Sequence, residues 1–504
     1  MDHLMKTVIL IVAIIMAAVA GCGKKSELTV RYQMEQKLNE ADRLRSDFQI
    51  KGPAFSDDDL RQLVEAYSAV IAMIRQPKDS LGVLDASDDV REAWALAALA
   101  STRIGVLYKD RSDYRQAFEY FARVAAGLAT SRQQRVLVLG YMAFCKEKSH
   151  QFEQAAAWYD SLAELYSSNV DTANINYEAL DAPISAAEMW QLLDDQPAFD
   201  DRMSRARDYY AMLRQKYPGT QIDQAALGKI IATYLRQGKY ADALRTIEKA
   251  KDPKTNQLSS HLLMMVIDIN LENLKNFPQA EKACREFIKS YPDDKNLGEV
   301  YLSLALSLFN QRKFADTRKI TKDLEKIPRA SAGTLSEATF LAALCYEHEG
   351  LWERALNQFD LVQATFPGSD KAFEAGLYVA NYYQNKGQSK LATQAFNKAA
   401  EYIGRFINPT TSNPLLASRA LGYLVKCYME MEDFPRAVET LNLLINRYPQ
   451  LPEGKFAPLR LADLYENVLR DNKNAAFWLK TFLQANPDVR DAEKIQRHIA
   501  ELES

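Results

Sequence analysis

The chain has 504 residues, of which 47% are hydrophobic and 26% are charged, and its formal net charge is -3. This composition is ordinary for a soluble globular chain, and so small a net charge excludes the electrostatic footprint of a nucleic-acid-binding protein. Length alone would predict about three domains, but a repeat array adds units to one stack without starting new cores.

The first 22 residues have the pattern of a bacterial lipoprotein signal. Lys6 precedes an uninterrupted apolar run from Val8 to Ala20, which is too short to cross a bilayer comfortably. The run leads into VAGC, which resembles the lipobox. In that family the thiol of the cysteine, here Cys22, is joined to diacylglycerol, the peptide is cut before the cysteine, and the new amino group is acylated. The resemblance implies a signal peptide at residues 1–21 and a lipid anchor at Cys22.

The residue after the cysteine bears on the location of the protein. Inner-membrane lipoproteins of enteric bacteria have Asp there, whereas this chain has Gly23. The resemblance therefore implies anchoring to a membrane of the cell envelope, with the outer membrane favoured, and the rest of the chain in the periplasm.

The next segments precede the main body of the chain. Residues 22–55 are predicted to be a tether with a short helix around 32–47. Ser56 and Asp59 form a capping-box pattern ahead of apolar residues at helical spacing. The sequence therefore predicts an N-terminal capping helix and linker over residues 56–90.

Most of the remaining chain repeats one phrase, seen as QGKYADAL, EGLWERAL and MEDFPRAV. Each phrase places a small residue three positions after a large, mostly aromatic one. Alignment on this small residue selects Ala117, Ala155, Ala206, Ala243, Ala280, Thr317, Ala355, Ala392, Ala437 and Ala475. The four intervals from Ala243 to Ala392 are 37, 37, 38 and 37 residues. Regular spacing of this length predicts a helical solenoid.

Other positions of the unit predict a turn and a stop. Gly238, Gly350 and Gly387 precede the phrase, where a left-handed residue can end a helix. Prolines that stop the following helix stand at Pro218, Pro292, Pro367, Pro449 and Pro487. The small residue allows two antiparallel helices to cross closely. Each unit is therefore predicted to be a helix, a turn and a second helix.

This pattern resembles the tetratricopeptide repeat. The resemblance implies an all-α, right-handed solenoid of helical hairpins, with about nine to ten repeats over residues 91–487. Residues 488–504 are predicted to be a charged C-terminal capping helix. Two segments interrupt the rhythm, at 167–183 and 408–414, and inserts in repeat proteins form loops that are either tolerated surface insertions or part of a binding face.

The sequence carries no recognisable catalytic motif. Cys145, Cys345 and Cys427 occupy equivalent positions of repeats that are not neighbours, so they cannot be bridged, and Cys284 occupies a packing position in a second helix. The histidines are isolated from one another, and no phosphate loop, HExxH motif or nucleophile elbow is present. We therefore expect a protein that is not an enzyme and needs no cofactor.

The tetratricopeptide repeat family binds peptide segments on a concave face lined by the first helices. Transferred unit by unit, the resemblance implies a peptide-binding face formed by Phe144, Glu147, Met265, Glu272, Phe340, Glu347, Asn381, Gln384, Lys426 and Met429. The mixture of long polar and apolar side chains suits an extended peptide, although solvated helix faces have the same composition.

The stretch at residues 352–383 is similar to the repeat lipoprotein of the β-barrel assembly machinery and to the repeat protein of the Tol-Pal system. The similarity implies a periplasmic scaffold that holds partner proteins during envelope assembly. A glycan-binding lipoprotein of an outer-membrane uptake system is the alternative, although the two inserts are short and contain few aromatic residues. A cryptic hydrolase domain would need about 100 residues outside the repeats, and the chain has no room for it.

Overall fold

The computed structural model describes residues 30–50, 56–74, 88–168, 170–171, 173–408, 413–486, 489 and 491–504. In these parts of the chain every regular element is a helix, and the chain divides into two compact units, Met1–Gln237 and Gly238–Ser504, called unit 1 and unit 2 below. Within each unit, helices that follow one another pack together as hairpins. The predicted all-α repeat-solenoid class is therefore confirmed.

The helices follow one another with short connections. Those of unit 1 are α1 Val30–Ile50, α2 Asp57–Ile71, α3 Asp88–Asp110, α4 Tyr114–Arg123, α5 Arg132–Lys148, α6 Phe152–Ser168, α7 Tyr177–Leu192, α8 Gln196–Lys216 and α9 Gln221–Arg236. Those of unit 2 are α10 Tyr240–Glu248, α11 Ser260–Asp268, α12 Phe277–Ser290, α13 Leu297–Asn310, α14 Phe314–Leu324, α15 Ala332–His348, α16 Trp352–Thr365, α17 Asp370–Asn385, α18 Ser389–Gly404, α19 Pro414–Glu430, α20 Phe434–Arg447, α21 Pro452–Lys455, α22 Ala457–Asp463, α23 Asn472–Ala485 and α24 Ala492–Glu503.

The turn between the two helices of a repeat has the left-handed backbone conformation that the glycines predicted. Gly238, Gly350 and Gly387 have φ values of 66°, 78° and 70°. Seven equivalent turns reach the same conformation without glycine, at Ser112, His150, Asp194, Lys275, Arg312, Glu432 and Arg470. Left-handed backbone is disfavoured for residues with a Cβ, so the packing of the flanking helices must hold these turns in place.

The turns correct one assignment made from the sequence. In nine repeats the left-handed residue lies five positions before the predicted small residue. In the α7–α8 hairpin this rule leads from Asp194 to Phe199, whereas the sequence pattern selected Ala206. Both residues are buried, and Ala206 lies two helical turns further along α8. The assignment was wrong because Phe199 breaks the small-residue pattern. With Phe199 in place of Ala206, the intervals from Ala155 and to Ala243 change from 51 and 37 residues to 44 and 44.

Three helices continue into short π-helical segments, at Val124–Leu128, Ile269–Asn273 and Leu464–Val468. In an ordinary repeat the turn closes with a hydrogen bond that spans five residues, as from the Asp433 N–H to the Tyr428 carbonyl. After the second and third π segments the corresponding bond spans six residues, as from the Asn276 N–H to the Asn270 carbonyl. Each of these two first helices therefore contains one additional residue.

The proline stops agree with the prediction where the structure describes them. The helices α8, α12, α16 and α20 end two residues before Pro218, Pro292, Pro367 and Pro449, respectively. The residue between helix and proline has left the helical region, with φ of -128° at Tyr217 and -133° at Tyr448, because the proline ring restricts the residue before it. Pro487 lies outside the described residues.

The N-terminal helices form a common core with the first repeat. Ser56 and Asp59 make the predicted capping box, and α2 follows it. The helix expected around residues 32–47 extends over Val30–Ile50 and packs on α2 and α3, with Met34 and Tyr67 fully buried. The C-terminal part of the predicted tether is thus a packed element. Residues 1–29, including Cys22, lie outside the described residues.

The four cysteines that the structure describes are free and buried, as their packing positions predicted. Burial raises the pKa of the Cys145 and Cys345 thiols to about 12, so these thiols stay protonated at neutral pH.

The insert predicted at 167–183 contains a shorter loop than expected. Asn176 caps α7, and the helix begins at Tyr177.

Helix α24 closes the C-terminal end of unit 2. Ile499 is buried in a cluster with Ala476 and Leu479 of α23. On the same helix the His498 Nε2 lies 2.8 Å from Glu466 Oε2, and its Nδ1 lies 3.5 Å from Glu501 Oε2. The two carboxylates raise the pKa of His498 above its ordinary value, with the hydrogen bond to Glu466 as the largest cause.

We expect His498→Ala to destabilise unit 2 more at pH 5.5 than at pH 8. A folded-state pKa raised above the unfolded value gives stability that is fully present below the unfolded pKa and lost as pH rises through the folded pKa. The imidazole is partly exposed, so the effect is limited to a few tenths of a kcal/mol. Urea unfolding of both proteins at the two pH values measures it, and an equal loss at pH 5.5 and 8 would refute the charged pair.

A candidate binding groove on the first helices of unit 1

A groove of about 350 Å³ lies on the first helices of the repeats in unit 1, mainly between α5 and α7, with α6 at its base. Its volume falls within the range of about 300–1,000 Å³ that is typical of ligand-binding clefts. The lining residues are Lys109 of α3, Gly140, Tyr141 and Phe144 of α5, Tyr159 and Leu162 of α6, and Glu178, Asp181 and Ser185 of α7. We call this space the α5–α7 groove.

Aromatic rings held from behind form the apolar part of the groove. The Tyr141 ring stacks on Phe121 with a centroid distance of 4.8 Å, and the Phe144 ring meets Tyr114 edge to face at 6.1 Å. The Tyr159 hydroxyl donates a hydrogen bond of 2.8 Å to Glu147 Oε2. Burial, and secondarily the Glu147 charge, raise the pKa of Tyr159, so its hydroxyl remains a donor at neutral pH. The rings are thus fixed before any ligand arrives.

The charged groups of the groove are unevenly distributed. Lys109 Nζ lies 2.8 Å from Asp110 Oδ1, so its charge is shared with that carboxylate. On the opposite wall Asp181 pairs with Lys229 of α9. Glu178 is exposed in the first turn of α7, and no cation within the described ranges pairs with it. The α7 wall therefore presents a carboxylate available to a ligand.

Exposed leucines continue the apolar surface along the same helices. Leu99 of α3 and Leu137 of α5 each lie 18 residues before the small residue of their repeat, so they share one position of the unit. They are 39% and 38% exposed, respectively. The next gap, between α7 and α9, is bridged by the ion pairs Asp181–Lys229 and Glu188–Arg236. The apolar surface is thus centred on α3, α5 and α7.

Two of the residues predicted to bind a peptide contribute to this site. Phe144 lines the groove, and Glu147 fixes Tyr159 at its base. The remaining eight predicted residues belong to unit 2, whereas the groove is formed within unit 1.

In unit 2, Phe340 is only 8% exposed and packs within the core between α15 and α17. Its burial leaves little of the ring accessible to a ligand. Glu347 is half-buried and accepts a hydrogen bond from Tyr378. Both predicted residues lie close to Tyr378 of the following first helix, whereas Glu147 in unit 1 reaches Tyr159 of the second helix.

The other predicted residues of unit 2 lie on their first helices with varied exposure. Gln384 and Lys426 are exposed, and Lys426 Nζ lies 4.9 Å from the centroid of the Tyr423 ring. Half-buried positions are taken by Met265, Asn381 and Met429. Glu272 is exposed within the π segment, where the additional residue displaces it from the position assumed by the repeat register.

Most of the groove was not predicted from the sequence. Gly140 and Ser185 have no side chain that suggests binding, and Tyr159 belongs to a second helix, which the transfer from the repeat family did not consider. A comparison of equivalent positions between repeats could have revealed Gly140. The wrong register of the α7–α8 hairpin hid Ser185.

The described ranges contain no group of three or more His, Cys, Asp or Glu side chains placed to hold a metal ion. None of the helices in these ranges has both the length and the hydrophobicity to cross a bilayer.

The groove residues form an aromatic surface that carries hydroxyl groups, with carboxylates at one wall. This arrangement is suited to binding a polypeptide segment.

Comparison with protein families gives a match to the tetratricopeptide repeat at residues 420–450, which span most of α19 and α20. The match covers one hairpin of the chain. No curated protein shows significant similarity to the sequence.

Solved structures to which the chain is similar include a tetratricopeptide repeat protein from Parabacteroides merdae, at 15% identity and a TM-score of 0.31, covering 53% of this chain and 92% of that protein. The human IFIT1 dimer with m7Gppp-AAAA is 12% identical, with a TM-score of 0.30 and coverage of 89% and 86%. A Rap protein complexed with Competence and Sporulation Factor is 14% identical, with a TM-score of 0.32 and coverage of 73% and 99%. Residues 420–450 thus match the tetratricopeptide repeat within a chain of similar helical hairpins.

Proposed function

We propose that the protein is a lipid-anchored scaffold of the bacterial cell envelope, which holds partner proteins through the α5–α7 groove. The observation that carries the proposal is the groove itself, since the first helices of unit 1 present fixed aromatic rings, exposed leucines and a carboxylate wall. Repeat stacks of this kind serve as extended binding surfaces.

The chemistry of the groove favours a protein segment as the ligand. Leu99 and Leu137 offer an apolar strip, and the Glu178 carboxylate offers a polar contact beside it. A chain segment supplies alternating apolar and polar groups of this kind, and interfaces are built around buried aromatic anchors. The envelope location follows from the lipobox-like sequence at Cys22, and assembly of outer-membrane proteins is the role that this location favours.

Site-specific photo-crosslinking in intact cells tests the proposal. A photoreactive phenylalanine analogue at Leu137, beside the groove, should capture a defined partner protein, because this side chain is 38% exposed on the binding face. The matched control carries the analogue at Gln154, which is exposed on α6 outside the groove, and should capture no such partner. Mass spectrometry of the adduct identifies the partner.

The same cells test the anchor through Cys22→Ser. We expect this substitution to abolish the incorporation of labelled palmitate into the protein, since it removes the acylated thiol. Capture of the same proteins from Leu137 and Gln154 would exclude the groove as the binding surface, and unchanged palmitate incorporation after Cys22→Ser would exclude the lipid anchor.

A further inference from the structure

Two hairpins of the chain, one in each unit, have directly comparable positions. The left-handed turn residues His150 and Gly350 differ by 200 in number, so each residue of α5–α6 corresponds to the residue 200 positions later in α15–α16. Identical residues at Cys145 and Cys345, and at Glu147 and Glu347, agree with this correspondence. The turns Asp194 and Gly387 likewise relate α7 to α17 by 193 positions.

In unit 2 three aromatic rings fill the space between α15 and α17. The Phe340 ring lies 5.2 Å from Phe359 and 5.8 Å from Tyr378, measured between centroids, and Phe359 lies 5.0 Å from Tyr378. Glu347 accepts a hydrogen bond from the Tyr378 hydroxyl. Lys371 Nζ lies 5.2 Å from the centroid of Phe340, in the range of a cation–π contact.

In unit 1 two of these three rings are missing. Gly140 stands where Phe340 stands, Ser185 where Tyr378 stands, and only Tyr159 keeps the aromatic character of Phe359. A Cβ atom built on Gly140 would lie 3.7 Å from Leu162 Cδ2 and 3.8 Å from Glu178 Oε2, and both of these residues line the groove. The α5–α7 groove is therefore the space that two side chains of the chain itself occupy in unit 2.

We infer that the α5–α7 groove receives an aromatic side chain of the partner segment, in the place that Phe340 and Tyr378 fill in unit 2. This inference rests on the proposed function and names the chemistry of its ligand. An inserted ring would stack among Tyr141, Phe144 and Tyr159, which are already fixed by their own contacts. Aromatic anchors in preformed pockets dominate the energetics of many interfaces.

The charged residue beside the groove indicates which residue lies next to the inserted ring in the partner segment. Glu178 occupies the position of Lys371, so the cation that lies over Phe340 in unit 2 is replaced by a carboxylate in unit 1. Asp181 keeps the acidic character of Glu374, which is its equivalent. A partner segment that supplies both ring and cation would reproduce the arrangement of unit 2. The ligand is therefore an aromatic residue next to Lys or Arg.

The double substitution Gly140→Phe with Ser185→Tyr tests this inference by rebuilding the unit 2 arrangement within the groove. Filling the space should raise the thermal midpoint of unfolding, because a Cβ atom at position 140 would meet its neighbours at ordinary van der Waals distances. The same variant should lose the crosslink from Leu137. Gln154→Tyr, which adds a ring on the exposed side of α6, should leave the crosslink unchanged.

Peptide binding to the wild-type protein gives a second test that does not depend on the folding of a variant. The probes are fluorescein-labelled pentapeptides with the sequences Ala-Lys-Tyr-Lys-Ala, Ala-Glu-Tyr-Glu-Ala and Ala-Lys-Ala-Lys-Ala. We expect the first to bind about tenfold more tightly than either of the others, since each lacks one of the two recognised groups. Glu178→Lys should remove the preference for lysine over glutamate and keep the preference for tyrosine.

The outcomes separate this inference from the proposed function. A crosslink at Leu137 that survives in the Gly140→Phe, Ser185→Tyr variant, or equal binding of the tyrosine and alanine peptides, overturns the aromatic ligand and leaves the scaffold function standing. Absence of any crosslink specific to Leu137 overturns the scaffold function, whatever the peptides show.

Discussion

Phe199→Ala is expected to lower the free energy of unfolding by about 3–5 kcal/mol, the usual loss when a buried phenylalanine is truncated. Phe199 is fully buried in a cluster that includes Leu180, Met203 and Tyr210. In the other repeats the equivalent position holds a small residue, and the helices cross closely around it. The α7–α8 hairpin is built around a ring, and Tyr210 locks it further through a 2.7 Å hydrogen bond from its hydroxyl to the Leu180 carbonyl. These contacts hold the two helices apart, so they cannot fully close the cavity that alanine would leave at position 199.

Urea unfolding of the purified protein, followed by far-ultraviolet circular dichroism, measures this loss. Met212→Ala on the same helix is the control, because that side chain is 39% exposed and its truncation should change stability by about 0.5 kcal/mol or less. Equal unfolding midpoints for the two variants would mean that α7 and α8 had closed to the spacing of the other repeats.

Gly454→Ala is expected to destabilise unit 2 by about 3 kcal/mol, although alanine is the better helix former. Gly454 is buried in the short helix α21. An added Cβ atom would overlap the Tyr448 carbonyl group, and it would lie 2.8 Å from the Leu444 carbonyl oxygen. Both neighbours are backbone atoms at the end of α20, so a side-chain rotation cannot relieve the overlap.

Gly228→Ala provides the matched control within helix α9. A Cβ atom there meets no atom within 4 Å, so alanine should stabilise the protein by about 0.5–1 kcal/mol through helix propensity alone. Thermal unfolding of both variants tests this prediction through the sign of the change in the midpoint. A rise in midpoint for Gly454→Ala would show that α21 can move away from α20.

Helix-forming patterns predicted the fold well where the physical signal was local. The left-handed turn at Gly238 and the stop at Pro218 follow from backbone preferences that act within a few residues, and the structure has both. Six of the seven turns without glycine were found only through the small residue five positions later, and the turn at Asp194 was missed. At Phe199 a ring replaces the small residue, and the local pattern pointed to Ala206 instead. The pattern cannot show the distance between two packed helices.

The groove was harder to predict because it depends on side chains that are absent. A sequence shows Phe144 and Glu147 as candidates, and both contribute to the site. Gly140 and Ser185 form the groove because they are smaller than Phe340 and Tyr378, the residues at the equivalent positions of another repeat. The comparison is between parts of the chain that are distant in sequence. The exposed residues Gln384 and Lys426 satisfy the same sequence rule as Phe144, yet the rule does not distinguish a groove from a solvated helix face.

The π segments show how a repeat protein can change length without losing its register. One inserted residue at Ile269–Asn273 or Leu464–Val468 is absorbed before the turn, so the next helix still begins in its usual place. The insertion rotates the preceding part of the first helix by about 100°, the angle per residue of an α-helix. Evolution can therefore present a new set of side chains to a ligand through a single codon insertion, while the second helices that pack the stack stay as they were.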